Sequence, residues 1–204
     1  TQKNVVIEFS SARKSNFVGK YLYYPDLTQK RSTYGGLRIE GKFKGTFPNL
    51  PLVTVITVCR NSENTLEQCI LSVLRQTYEN LEYIIVDGGS TDDTLKVINR
   101  YKQAIDYFVS EPDRSLYHAM NKGLELARGD YILFLNSDDW YENDCVESLW
   151  QGLDASGADF SCALTALVDR NGKFIRQLSR MPYNESICFG MPLRHELMFL
   201  SAHI

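Results

Sequence analysis

Two adjacent carboxylates, Asp138 and Asp139, follow the run Tyr131-Ile132-Leu133-Phe134-Leu135-Asn136-Ser137. The apolar part of that run is strand-sized, and carboxylates at its end carry a desolvation cost unless something cationic meets them. Hard divalent ions such as Mg²⁺ and Mn²⁺ take oxygen ligands and bridge one or two carboxylates to substrate phosphates. Either aspartate alone reads as the cap of a following helix; the pair, at a strand end, reads as a metal site. A second polar turn, Asp87-Gly88-Gly89-Ser90-Thr91-Asp92, follows the apolar run 81–86. Its glycines let a ligand approach the backbone, or they simply make a tight turn before a helix, and the residues alone fit both readings.

Both turns need elements to position them. Val53-Thr54-Val55-Ile56-Thr57-Val58 is β-branched throughout and suits a strand buried on both faces. Asn64 with Glu67 three residues on forms a capping-box pattern, and Leu66, Ile70, Val73 and Leu74 share one helical face. Residues 81–86 predict a second strand, and Asp92 and Asp93 suit the positive end of a helix opening near Thr91. Residues 105–109 predict a third strand, with a helix from Ser115 to Ala127 ended by Gly129. Residues 131–135 predict a fourth strand and 142–153 a helix. Residues 158–168 and 173–178 flank Asp169-Arg170-Asn171-Gly172, a hairpin signal. Strand and helix alternate four times, so the expected fold class is α/β: a mostly parallel, Rossmann-like sheet flanked by helices, with an antiparallel hairpin toward the C-terminus. Ligands bind beyond the carboxyl ends of such strands, at residues 57–61, 87–90, 111–114 and 136–139.

Residues 1–50 differ in character. They hold nine Lys/Arg against three Asp/Glu, while residues 51–204 hold thirteen against twenty-two. Residues 1–50 are read as a basic N-terminal extension and 51–204 as the main domain. Tyr34-Gly35-Gly36 followed by Leu37–Phe43 predicts a turn and a short alternating strand, with Leu37, Ile39 and Phe43 packing on that domain. The basic segment fits either a solvated leader or an arm for an anionic partner such as a membrane surface. The acidic remainder excludes a nucleic-acid-binding face on the main domain. No stretch approaches the ~20 consecutive apolar residues of a membrane span. The five scattered cysteines fit reduced core thiols in a cytosolic protein, and they have no zinc-ligand spacing with His118, His195 or His203.

Six segments carry a resemblance: Val53–Asn61, Gln76-Thr77-Tyr78, Val86–Asp92, Met120-Asn121-Lys122-Gly123, Ala127-Arg128-Gly129-Asp130-Tyr131 and Asn136-Ser137-Asp138-Asp139. Their order and spacing resemble those of family 2 glycosyltransferases, most closely from Leu52 to Asp144. The resemblance implies a glycosyltransferase A-type fold. It also implies inverting, metal-dependent transfer of a sugar (hexosyltransferase-like) from a nucleotide diphosphate sugar to an acceptor hydroxyl, in polysaccharide or glycoconjugate synthesis. Carried over by position, Thr57, Val58 and Arg60 line the nucleotide base, and Asp87 lies beside base or ribose. Asp113 and Arg114 approach the nucleotide, Asp138 sits near ribose or metal, and Asp139 is the main ligand of Mn²⁺ or Mg²⁺.

This chain departs from the family pattern at several points. Gly88 stands where many members have a second Asp that reads uracil, which leaves UDP, GDP and TDP open as donors. Arg60 replaces a usual aromatic residue, and Ser115 and His118 stand where Gly and an acidic residue are common. His118 reads as a helix-surface histidine or a base. The general base of such relatives lies beyond a stretch similar to Arg194–Phe199, so His195, Glu196, Asp169 and Glu185 are the candidates within this chain. The expectation is a donor-binding domain incomplete at its C-terminal side, with Met198, Phe199 and Leu200 left exposed and available for homo-oligomer formation. Its acceptor is a saccharide or lipid-linked molecule, and its place is cytoplasmic, at the inner face of the membrane in the arm reading. Two other readings are a nucleotide-sugar-binding module without catalysis and a sugar nucleotidyltransferase. The second needs a Gly-rich phosphate loop where Cys59-Arg60-Asn61-Ser62-Glu63 has no glycine.

Overall fold

In the computed structural model the described residues are 4–5, 33–157, 160–163, 166–169, 173–177 and 198–201. Four strands form the parallel centre: β3 (Val53–Cys59), β4 (Leu81–Asp87), β5 (Tyr107–Ser110) and β6 (Tyr131–Asn136). Strand β3 pairs in parallel with β4 on one side and β6 on the other, and β4 pairs in parallel with β5. Antiparallel strands extend both edges. Strand β2 (Thr33–Gly35) lies on β5; β10 (Met198–Ser201) lies on β6, followed outward by β7 (Phe160–Ala163) and the two-residue β1 (Asn4–Val5). Strands β8 (Ala166–Val168) and β9 (Phe174–Gln177) pair as the expected antiparallel hairpin, separate from the main sheet.

The β-branched sequence of β3 is fully buried because both faces of the sheet are covered. Helices α1 (Leu66–Leu74), α2 (Thr94–Arg100) and α4 (Cys145–Ser156) pack on one face, against Val53, Val55, Tyr83, Ile85, Leu133 and Leu135. Helix α3 (Leu116–Leu126) covers the other through Ala119 and Met120, against Ile56, Val58, Ile84 and Phe134. The chain runs outward from β3 to β5, and α3 then carries it back to place β6 on the far side of β3. Where strand order reverses in this way, a crevice opens beyond the strand ends.

Two expectations are corrected. Leu37–Glu40 form a 3₁₀ helix rather than a strand, and Ile39 and Phe43 are exposed. Gly36 turns the chain at φ 104, where a Cβ would stand 2.8 Å from the carbonyls of Ile105 and Asp106. The segment docks through polar groups instead. The amides of Leu37 and Arg38 donate to Ile105 and Asp106 at 3.0 Å, Lys44 pairs with Asp106 at 2.9 Å and Arg38 lies 2.5 Å from Glu82. Second, Asn64 and Glu67 do not form a capping box. The N-cap of α1 is Thr65, with no side-chain bond, and Glu67 turns to Tyr101 (2.7 Å) and Arg100 (3.2 Å). Met198–Leu200 lie in β10, whose backbone is paired on both sides by β6 and β7. Gly129 does follow α3, yet the last turn is capped at Ala127. What Gly129 supplies is close packing, since a Cβ there would lie 2.7 Å from the Thr54 amide nitrogen.

Glu82 is the most demanding buried group in the sheet, 1 % exposed. It accepts from Thr54 Oγ1 (2.7 Å) and the Arg128 amide (2.9 Å), and Arg38 supplies the opposing charge through close approach, its Nη2 not being aligned to donate. Removing one partner of a buried pair leaves an uncompensated charge. Arg38→Ala is therefore expected to lower unfolding stability by about 3 kcal/mol, read as a fall in the urea midpoint at unchanged m-value. Lys42→Ala, which breaks only the exposed pair with Glu40, is expected to shift it by less than about 0.5 kcal/mol.

Candidate functional site

The carboxyl ends of β3, β4 and β6 and the first turn of α3 enclose a cleft of about 420 Å³. Register explains which side chains reach it. Along β3, Val55 and Cys59 belong to the core under α1, whereas Ile56 and Val58 face α3. Val58 therefore lines the cleft and Thr57 does not; Cys59, on the other face, reaches it as the last residue of the strand. Thr57 is fully buried and held on the α1 side by Tyr83 Oη (3.1 Å). Arg60, one residue beyond the strand, is exposed and lines the opening.

Asp87 ends β4 and is also fully buried. Its carboxylate accepts from the Ser90 amide (3.0 Å), the Ser90 hydroxyl and the Ser110 hydroxyl (2.5 Å). It braces the turn 88–90 from below and does not line the cleft; Gly88 does. Gly89 takes φ 74, and a Cβ there would crowd Pro112 at 3.2 Å, so this position suits glycine. Asn61, at φ 52, ties the β3 loop to the β4 loop, its Oδ1 accepting from the Thr91 amide at 2.9 Å.

Asp113 and Arg114 form the wall nearest α3. Asp113 is 7 % exposed, and its Oδ1 lies 2.6 Å from both His118 Nδ1 and Lys122 Nζ. Lys122, itself 4 % exposed, also reaches Glu111 at 2.8 Å. Ser115 caps α3 by accepting from the His118 amide at 3.2 Å, so His118 is anchored in the wall rather than free on the surface. Sequence reasoning missed this network. Lys122 sits inside Met120-Asn121-Lys122-Gly123, a segment noted for its resemblance and given no role.

On the β6 side, Asn136, Ser137 and Asp138 line the cleft, and Ser137 Oγ meets Ser62 Oγ at 2.8 Å. Asp138 is exposed. Asp139 follows it, its amide bonded to the Asn136 carbonyl at 3.1 Å, outside the cleft lining. Among the described residues no group of three or more His, Cys, Asp or Glu side chains forms a ready-made metal cage. Asp138 at the mouth of the cleft, with Asp139 beside it in the chain, fits a hard Mg²⁺- or Mn²⁺-type ion, which takes oxygen ligands.

The structure thus brings Val58, Arg60, Asp113, Arg114 and Asp138 together, and leaves Thr57 and Asp87 beneath the surface as supports. Asp169 does not line the cleft; its Oδ1 accepts from the Lys173 amide at 2.9 Å and braces the β8–β9 hairpin. His195, Glu196 and Glu185 lie outside the described residues. No helix among the described residues is long and apolar enough to cross a membrane.

An open α/β sheet with a polar cleft at its strand reversal is a ligand-binding architecture shared by many proteins, and the comparisons narrow it. The Glycosyl transferase family 2 profile matches residues 54–202. The chain belongs to that family. It is 42 % identical over 102 residues to an uncharacterized glycosyltransferase of Haemophilus influenzae, which covers 48 % of this chain and 41 % of that protein. It is 32 % identical over 181 residues to the chondroitin synthase of Escherichia coli, covering 85 % of this chain and 26 % of that one. The chain therefore spans less than half the length of either relative. Among solved structures, S. aureus TarS 1-349 in complex with UDP-GlcNAc superposes at TM-score 0.50 with 25 % identity, covering 53 % of this chain and 33 % of that one. The fold is the glycosyltransferase A-type.

Three cysteines, Cys59, Cys69 and Cys145, are buried and free, as expected for core thiols. Burial, then the neighbouring Asp87 carboxylate, pushes the Cys59 thiol well above its ordinary range; burial pushes Cys69 and Cys145 up to about 12. Thiolate is the reactive form, so at pH 8.5 all three stay protonated in the folded protein. Iodoacetamide is expected to spare these three in the native state and label them all in guanidinium, as read by peptide mass spectrometry.

Proposed function

We propose that this domain binds a nucleotide diphosphate sugar in the cleft and transfers its sugar to an acceptor hydroxyl with inversion, in polysaccharide or glycoconjugate synthesis. The observation that carries the reading is the placement of Asp138 at the carboxyl end of β6, across the same cleft from Arg60, Asp113 and Arg114. Family membership and the UDP-GlcNAc complex of S. aureus TarS 1-349 support it.

In this reading the cleft wall of Val58 and Leu116 receives the apolar part of the nucleotide, and Arg60 and Arg114 offset its negative charge. Asp139 and Asp138 would hold Mn²⁺ or Mg²⁺, which would supply positive charge where negative charge grows on the leaving diphosphate. The acceptor oxygen forms its bond to the anomeric carbon on the face opposite the breaking bond to the diphosphate oxygen. Its proton passes to a carboxylate or imidazole base, for which His195 and Glu196 are the candidates in this chain, Asp169 being engaged in its hairpin. Acceptor, membrane contact and oligomeric state are properties of the whole protein, and we propose a saccharide or lipid-linked acceptor for it.

The test is a thermal-shift panel of UDP, GDP, TDP and CMP with and without Mn²⁺. Ligand binding to the native state alone raises the midpoint by mass action. Asp139→Ala is expected to abolish the Mn²⁺-dependent part of the shift and leave the ligand-free midpoint within a few degrees of wild type. An undiminished Mn²⁺ response would remove the metal assignment. Nucleotide binding by the full-length protein without sugar transfer or donor hydrolysis would replace the enzyme reading with that of a binding module.

A further inference from the structure

Asp113 has one oxygen too few partners. Its side chain is 7 % exposed, Oδ1 is held by His118 and Lys122 at 2.6 Å each, and Oδ2 is buried with no hydrogen-bond partner among the described residues. A buried carboxylate oxygen without a donor carries a standing desolvation cost. His118 and Lys122 on the opposite oxygen fix the direction of its free lone pairs. Those lone pairs have a neighbouring space, since Oδ2 lies 3.5 Å from the position a Cβ on Gly88 would occupy, at ordinary contact distance from a group there. Arg60 Cδ is equally near that position, and the exposed Arg60 side chain is the part able to swing aside. The wall around it carries Val58, Leu116 and Ala119, surfaces suited to a flat ring rather than to a polyol.

Resting on the nucleotide reading above, we infer that Asp113 Oδ2 is the base-selecting group of the cleft, accepting the imino N–H of a uracil, thymine or guanine that lies over Gly88. Cytosine presents a lone pair at the corresponding ring nitrogen and would face the carboxylate with like polarity. Specificity of this kind is strong because mismatch leaves a buried polar group unpaired. His118 and Lys122 are positioning residues that hold the carboxylate by its other oxygen.

The experiment is calorimetric titration of the full-length protein with UDP, TDP, GDP and CDP in Mn²⁺. The preferred diphosphate is then compared with its ring-N-methyl analogue (3-methyluridine, 3-methylthymidine or 1-methylguanosine diphosphate). The N-methyl form is expected to bind at least about tenfold more weakly, and CDP likewise, the loss of one charge-assisted hydrogen bond. Asp113→Asn, which brings an amide donor, is expected to narrow the ratio between the preferred nucleotide and CDP by about tenfold. The ligand-side comparison stands even if that variant does not fold. Binding of no nucleotide would overturn the nucleotide reading itself. Nucleotide binding indifferent to N-methylation, or a preference for CDP, would overturn the role of Asp113 alone.

Discussion

The in-register parallel pairing of β3 with β4 and β6 is the constraint on which the site depends. Val58 stands opposite Val86 and Asn136, Cys59 opposite Asp87, and Asp87 opposite Ser110. The strands therefore release the chain at one level, and their loops meet over a single crevice. Sheet register is strongly specified when faces are buried, because a slip of one residue sends every side chain to the wrong side. Here such a slip would drive Thr57 under α3 and Val58 toward Tyr83. It would also part Asp87 from Ser110, leaving a fully buried carboxylate short of a donor.

The buried acids divide by how completely they are paired. Glu82 meets Thr54, Arg128 and Arg38, and Asp106 meets the Tyr83 amide and Lys44. Both lie toward the amino ends of the strands and fasten residues 38–44 to the sheet, so their work is structural. Asp87 is saturated by Ser90 and Ser110 and shapes the turn above it. Glu125 has both oxygens buried without a hydrogen-bond partner among the described residues, away from the cleft, whereas Asp113 keeps one oxygen paired and one idle on the cleft wall. Burying a charge is tolerated when its partners are complete. Incompleteness at a cleft is the mark of a group whose last partner is a ligand.

The central strands, the order of helices and the four polar strand ends were legible because they rest on local signals. β-branched runs, turn glycines and paired aspartates each report on their own immediate surroundings. The orientation of Thr57 is legible too when alternation along β3 is followed: Thr57 falls on the face of Val55, opposite to Val58. The 37–43 segment was misread because its alternation of Leu37, Ile39 and Phe43 resembles a strand. Gly36 had already turned the chain, and ionic contacts with residues far along the sequence outweighed apolar packing. Glu67 was misread for a similar reason, since a local capping bond lost to Tyr101 and Arg100, brought close only by the packing of α1 and α2.

Residues that act through another residue are the hardest to see in a sequence. Lys122 has the spacing of an ordinary solvent-facing helix lysine, and nothing near it says that Asp113 and Glu111 will fold over its ammonium. Its role exists only because α3 returns across the sheet and starts one turn beyond the β5 loop, so that positions 113, 118 and 122 converge. A lysine so deeply buried demands acidic partners, and the acids that meet the demand are thereby held in place. One buried cation thus fixes the direction of the carboxylate that faces the cleft. The first turn of α3 shapes the site as much as the loop residues that line it.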